Sequence, residues 1–332
     1  MAKPEQTRGF DEQMAALDVL KGRELDAPSI AFIKKMLANR SNFLVAKAAR
    51  LAEENNLRDL MPDLLSAFER FFENPEKTDP QCWAKNALSR ALAKLECRDK
   101  DVYLRGLRHH QLEPVWGGKS DTAGTLRGNC ALALVFCDGL STHDLLVLLL
   151  EPLTDADKSV RVEAVRALAA LGEPAVPVLR LRALVPGKDP EEMLAVCFQA
   201  LLSIEREQAI LFVAKFLEDG DDNTAGEAAL ALAETHSPTA LHALIQRQKK
   251  NSDPWFAGVL LTAIALTRLP EGADFLIGMI EQEAREAEMA IEALARLTPG
   301  DELRTRIAKA VEETGSSRLR TAFETHLATS AH

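Results

Sequence analysis

The side chains whose type and spacing could do chemistry gather in one stretch, from Lys85 to Cys130. It holds nine basic residues, Lys85, Arg90, Lys94, Arg98, Lys100, Arg105, Arg108, Lys119 and Arg127. Against them stand five acidic ones, Glu96, Asp99, Asp101, Glu113 and Asp121. The same stretch carries the adjacent His109 and His110, and Trp116 within Pro114-Val115-Trp116-Gly117-Gly118-Lys119-Ser120. A tryptophan in a glycine-flanked loop of a basic segment is the composition of an interaction anchor. Arg105, Arg108, His109, Trp116, Lys119, Arg127 and Asn129 are therefore the candidate partner-binding residues. The alternative is structural: Trp116 fills a gap beneath the loop, and Arg127 pairs with a neighbouring unit.

Catalytic chemistry finds less support. No phosphate-loop, dinucleotide-binding, zincin or nucleophile-elbow pattern occurs. Gly117-Gly118-Lys119-Ser120 has the form of a phosphate-loop tail, but Glu113 stands where the first glycine belongs. On a helix, His109 and His110 would point about 100° apart, so one of them faces solvent and they do not share a site. Five cysteines (Cys82, Cys97, Cys130, Cys137 and Cys197) form no C-x-x-C pair and read as small buried side chains in a reducing cytosol. The rival reading, a metal held by Cys97, His109 and His110, matches no familiar ligand spacing. Asp219, Asp221 and Asn223 imitate the first ligands of a calcium loop, but Thr224 replaces its glycine and Leu230 its closing glutamate. A helix-capping turn is expected there. The expectation is no catalytic residue, no metal, no cofactor and no enzymatic activity.

The elements that must position these residues follow from composition and period. Of 332 residues 47% are apolar but only 5% aromatic, so alanine and leucine supply the core. That mix favours helices over strands. An alanine followed by a larger apolar residue recurs at Ala91-Leu92, Ala133-Leu134, Ala167-Leu168, Ala200-Leu201, Ala231-Leu232, Ala263-Ile264, Ala293-Leu294 and Ala322-Phe323. Successive spacings are 42, 34, 33, 31, 32, 30 and 29. Each unit reads as two helices, the second carrying the alanine that lets stacked helices approach closely. Asp157, Asp189, Asp221 and Asp253 lie 32 residues apart near the start of second helices, where a carboxylate accepts unpaired N–H groups. Pro190 and Pro254 follow their aspartates, where a first helical turn tolerates proline; Pro174, Pro238 and Pro270 fall in turns.

The best-formed unit runs from Ser141 to Gly172. After Leu149-Leu150-Glu151-Pro152-Leu153 it reads Asp157-Lys158-Ser159-Val160-Arg161-Val162-Glu163-Ala164-Val165-Arg166-Ala167-Leu168. This pattern resembles the HEAT repeat, particularly the bacterial HEAT-like form also found in phycobilisome lyases. The resemblance implies an all-α, right-handed α-α superhelix, a HEAT/armadillo-type solenoid of about nine helix pairs. It further implies an N-terminal capping helix within 1–26, one continuous array over 27–328 and a disordered tail at 329–332. The arginine matching Arg161 is replaced by Met193, Ala225 and Ala257 in later units. An ordinary helical bundle, with no fixed period, is the rival architecture. The long spacing between Ala91 and Ala133 places an insertion at Gln111–Asp121, read as a loop from its proline and glycines. Insertions in solenoids collect on loops of one edge, often the binding edge.

The formal net charge is −10, and the deficit lies in residues 151–332, with 19 basic and 29 acidic side chains. An acidic half is poorly suited to phosphate backbones. The polar stretch Met1 to Phe10 lacks the apolar centre of a secretory signal, and no apolar run reaches about 18 residues. A cytoplasmic chain with no membrane contact is expected. The leading expectation is a non-catalytic HEAT-repeat scaffold that binds a protein partner on its concave face or on the 110–122 loop. Two alternatives are a bilin-lyase-like or chaperone-type HEAT protein, and nucleic-acid binding through the basic segment 85–127, which the net charge disfavours.

Overall fold

A computed structural model describes residues 5–187, 190–218 and 221–327. Asp189, Asp219 and the 329–332 tail lie outside the described residues. The chain divides into two compact units, Met1–Pro174 and Ala175–His332. Among the described residues there are twenty α-helices and one two-stranded sheet, so the fold class is all-α.

The first unit opens with α1 (Glu5–Val19), α2 (Ala27–Leu37), α3 (Asn42–Glu54), α4 (Met61–Arg70) and the single turn α5 (Pro75–Thr78). It continues through α6 (Trp83–Lys94), α7 (Lys100–Leu107), β1 (Leu112–Val115), β2 (Gly118–Asp121), α8 (Gly124–Leu134), α9 (Thr142–Leu150) and α10 (Lys158–Leu171). Neighbours pair as α2/α3, α4/α6, α7/α8 and α9/α10, and the second helices pack in series, α3 on α6, α6 on α8, α8 on α10.

The second unit repeats the scheme. Its helices are α11 (Val176–Leu184), α12 (Pro190–Glu205), α13 (Glu207–Val213), α14 (Asp222–Ala233) and α15 (Pro238–Lys250). They are followed by α16 (Pro254–Leu266), α17 (Pro270–Glu281), α18 (Ala287–Ala295), α19 (Asp301–Thr314) and α20 (Ser317–Leu327). Here α12, α14, α16, α18 and α20 form the series, each paired with the helix before it. Among the described residues the two units together hold nine such sequential pairs after α1.

The periodic residues do what their types suggest. Ala91, Ala133, Ala167, Ala200, Ala231, Ala263 and Ala293 are all buried with the large residues that follow them. The last mark, Ala322-Phe323, is only half-buried on the terminal helix. Asp157, Asp221 and Asp253 cap α10, α14 and α16 by accepting the backbone N–H of Ser159, Thr224 and Phe256. Asp221 is thus a cap, and its hydrogen bonds with the Thr224 side chain and backbone hold its carboxyl below the usual range. Pro190 and Pro254 begin their helices, and Pro238 and Pro270 do the same for first helices, where no N–H is needed. Arg161 is buried and donates to the carbonyls of Asp155 and Ala156, at 2.7 and 3.0 Å, so it staples the turn that leads into its own helix.

Close helix approach in the first unit rests on Gly106 of α7. A Cβ built there would lie 2.4 Å from the Sγ of Cys130 on α8 and 3.5 Å from Leu126 and Phe68. The neighbours are buried and cannot yield freely. Gly106→Ala is expected to destabilise the protein by about 1–3 kcal/mol, the usual effect of overpacking a filled core. Urea unfolding would read this as a lower midpoint; an unchanged midpoint would show that α7 and α8 have room to part.

Candidate functional site

The insertion is a β-hairpin, not the irregular loop expected from its proline and glycines. Leu112 pairs with Asp121, Glu113 with Ser120, Pro114 with Lys119 and Val115 with Gly118. Trp116 and Gly117 make the two-residue turn. Gly117 has φ +90°, the left-handed value that a type II turn requires at its third position. The Thr122 N–H donates to the Gln111 carbonyl at 2.9 Å, which sets the alternation of the ladder. Hydrogen-bonded pairs then fall at Glu113 and Val115, and Pro114 sits where its missing N–H would face outward.

The base of the hairpin is fixed by buried polar side chains. Asp79 and Lys85 are an ion pair with no exposure at either side chain, Nζ to Oδ2 at 3.0 Å. Asp79 also accepts from the N–H groups of Ala84 and Lys85 at the start of α6, and from Asn42 on α3. Lys85 Nζ donates to the Phe71 carbonyl and lies 5.7 Å from the Phe72 ring. Gln111, also buried, reaches this knot from the hairpin: its Nε2 donates to the Asp79 carbonyl at 2.9 Å and to Glu113 Oε1. Glu113 Oε1 in turn accepts from the Gln81 N–H at 2.7 Å. Gln81 and Cys82 are both in the left-handed region, with φ 57° and 54°, a conformation non-glycine residues hold only where surroundings over-determine it.

Asp121 secures the other strand. Its Oδ1 accepts from the N–H groups of Gln111 and Ala123, and its Oδ2 from Arg127 and His110, both at 2.7 Å. Burial alone would raise its pKa, but these bonds and the Arg127 charge hold it well below the usual carboxylate range. Arg127 is 4% exposed and grips Asp155 with two bonds, Nε to Oδ2 at 2.8 Å and Nη2 to Oδ1 at 3.0 Å. Its Nη1 also donates to the His109 carbonyl.

The candidate residues therefore part company. Arg127 is corrected from partner contact to buried brace, because both of its faces are taken by aspartates. Arg105 is ion-paired with Glu69 and stacked 4.4 Å from Phe72. His109 is half-buried edge-on to Phe72, with Nε2 3.1 Å from Gln111 Oε1; burial holds it below the ordinary imidazole value. Asn129 donates to Ser89 Oγ between α8 and α6. Trp116 does not fill a gap: it is fully exposed at the turn. Lys119 and Arg108 are exposed and, among the described residues, carry no ion pair within 4 Å, and Arg108 lines a 480 Å³ cavity with His110, Val147 and Glu151. Five of the nine basic side chains in the segment, Lys85, Arg90, Arg98, Arg105 and Arg127, are held by acids. Sequence reasoning missed Asp79, Gln111, Glu113 and Asp155. The Gly117-Gly118 step between two short runs was a readable hairpin signal.

The remaining chemical candidates are quiet. Burial pushes the Cys82 thiol up to about 11 and those of Cys137 and Cys197 to about 12, so these are poor nucleophiles at neutral pH. Among the described residues, no three His, Cys, Asp or Glu side chains are grouped to hold a metal, and no helix is long and apolar enough to cross a membrane.

No protein-family model matches the chain, and no curated protein matches it. Among solved structures it is similar to an engineered protein, at 16% identity and TM-score 0.36, covering 95% of this chain and 91% of that one. It is also similar to human deoxyhypusine hydroxylase, solved in complex with glycerol, at 16% identity and TM-score 0.30, covering 80% of this chain and 91% of that one. At such values neither likeness transfers a substrate or an activity. The expectation that the chain has no enzymatic activity is withdrawn and is not carried further.

Proposed function

We propose that this chain is a HEAT-type solenoid protein of a reducing cytoplasm that docks a protein partner through the tip of its hairpin. The observation that supports this is Trp116, fully exposed at the end of an arm whose base is clamped by buried charged groups. A rigid arm loses little freedom on docking, so more of the ring's burial is realised as affinity. Tryptophan is also enriched among side chains that dominate binding. Val115 and Leu112 are half-exposed beside it, and Lys119 is an unpaired cation on the same arm. The fitting partner surface is an apolar pocket with an acidic rim. The cations already held by acids make a phosphate backbone the poorer fit.

Site-specific photo-crosslinking tests the proposal. A benzophenone side chain is placed at position 116, and separately at Trp255, which is 58% exposed on the second unit. In cells of the source organism, position 116 is expected to give one discrete adduct that Lys119→Glu diminishes. No adduct from position 116, or the same adducts from both positions, overturns it.

A further inference from the structure

We infer that the cleft between α1, one face of α3 and the start of α6 is a binding site for a planar aromatic anion. The cleft has a volume of about 350 Å³, within the range of about 300–1,000 Å³ typical of small-molecule sites. Its wall holds Phe43 and Trp83, with ring centroids 5.7 Å apart and planes tilted by 47°. Both rings are open to solvent, at 47% and 41%. Aromatic faces left open in a concave setting offer a stacking surface that core rings do not. Met14 and Leu17 of α1 close the apolar side.

The charge follows from helix periodicity. Phe43, Lys47 and Arg50 lie at i, i+4 and i+7 on α3, so they share one face. Lys47 is occupied, by the Asp18 carboxylate and by the Met14 carbonyl at 3.3 Å. Arg50 and Lys21 line the same cleft, are exposed and, among the described residues, have no acidic group within 4 Å. Glu54 lies one turn beyond Arg50, away from the aromatic end of the face. A ring stacked on Trp83 or Phe43 therefore has free cations within reach of an attached acidic group. Two larger cavities in the second unit, of about 600 and 430 Å³, have no aromatic side chain in their walls. This site is separate from the hairpin, and neither reading depends on the other.

The probe is 1-anilinonaphthalene-8-sulfonate, with uncharged N-phenyl-1-naphthylamine as its partner compound, titrated by fluorescence on the full chain. The wild type is expected to bind the sulfonate at one saturable site. Trp83→Ala is expected to weaken it at least about tenfold, and Trp83→Phe by less than about threefold, since the second keeps a stacking face. Arg50→Ala is expected to weaken the sulfonate about fivefold and leave the neutral compound unchanged. Trp255→Ala, at a more exposed tryptophan elsewhere, serves as the control and leaves both alone. Unaltered helical circular dichroism confirms folding of each variant. Absence of saturation in the wild type, a wild-type affinity in Trp83→Ala, or an equal effect of Arg50→Ala on both compounds overturns the inference.

Discussion

Arg127→Met is expected to lower the unfolding free energy by about 3–5 kcal/mol, because it strands two partly buried carboxylates that share one guanidinium. Asp155 would lose both of its bonds from Arg127, and Asp121 would lose one of four donors. The loss should carry a pH signature. Burial works to raise the pKa of Asp121 and Asp155, but their hydrogen bonds and the Arg127 charge bring both below the ordinary value of about 4. A carboxylate with a lowered folded-state pKa adds stability that is fully present above its unfolded value and is lost as pH falls. The wild type is thus expected to lose stability steeply below about pH 4, and Arg127→Met to lose it less steeply, having already forfeited that contribution. Urea midpoints measured from pH 7 to pH 3 would show the two curves converging in acid. Parallel curves would mean that Arg127 braces the hairpin by packing alone.

Lys85→Met should be comparably damaging, at about 3–5 kcal/mol, since Asp79 has no exposure through which water could replace the ammonium. The more informative variant is Asp79→Asn combined with Lys85→Met. Removing both charges leaves no stranded ion, so the double variant is expected to be about 1–3 kcal/mol more stable than additivity of the singles predicts. Because the Asp79 carbonyl receives Gln111, amide exchange across 111–121 should quicken in Lys85→Met even under conditions where the helices stay folded. Slow exchange there, unchanged from the wild type, would show that the knot holds α6 but not the hairpin.

The helical layout was largely readable in the sequence because its signals are local. An aspartate before a helix, a proline at its first turn and an alanine at the same step of each second helix act within a few residues. Asp157, Asp221 and Asp253 cap as expected for that reason. The candidate site was readable only at its tip. Trp116 and Lys119 stand out by type, whereas the role of Arg127 depends on Asp155, 28 residues along the chain. Asp79 and Lys85 are separated by Pro80 and a left-handed turn, so no helical or strand period relates them. Composition counted Arg127 and Lys85 only as members of a basic segment, and burial makes both internal struts.

The proline in β1 has a consequence for how molecules of this chain can meet. An exposed two-stranded arm offers two open flanks, and repeated strand addition along both would extend a sheet from molecule to molecule. Pro114 removes the central donor from one flank, leaving only the Lys119 side able to accept a strand. Growth that needs two usable flanks stops after a single addition. The arm is therefore a terminator of sheet polymerisation, free to hold an aromatic side chain out in solvent without seeding fibrils.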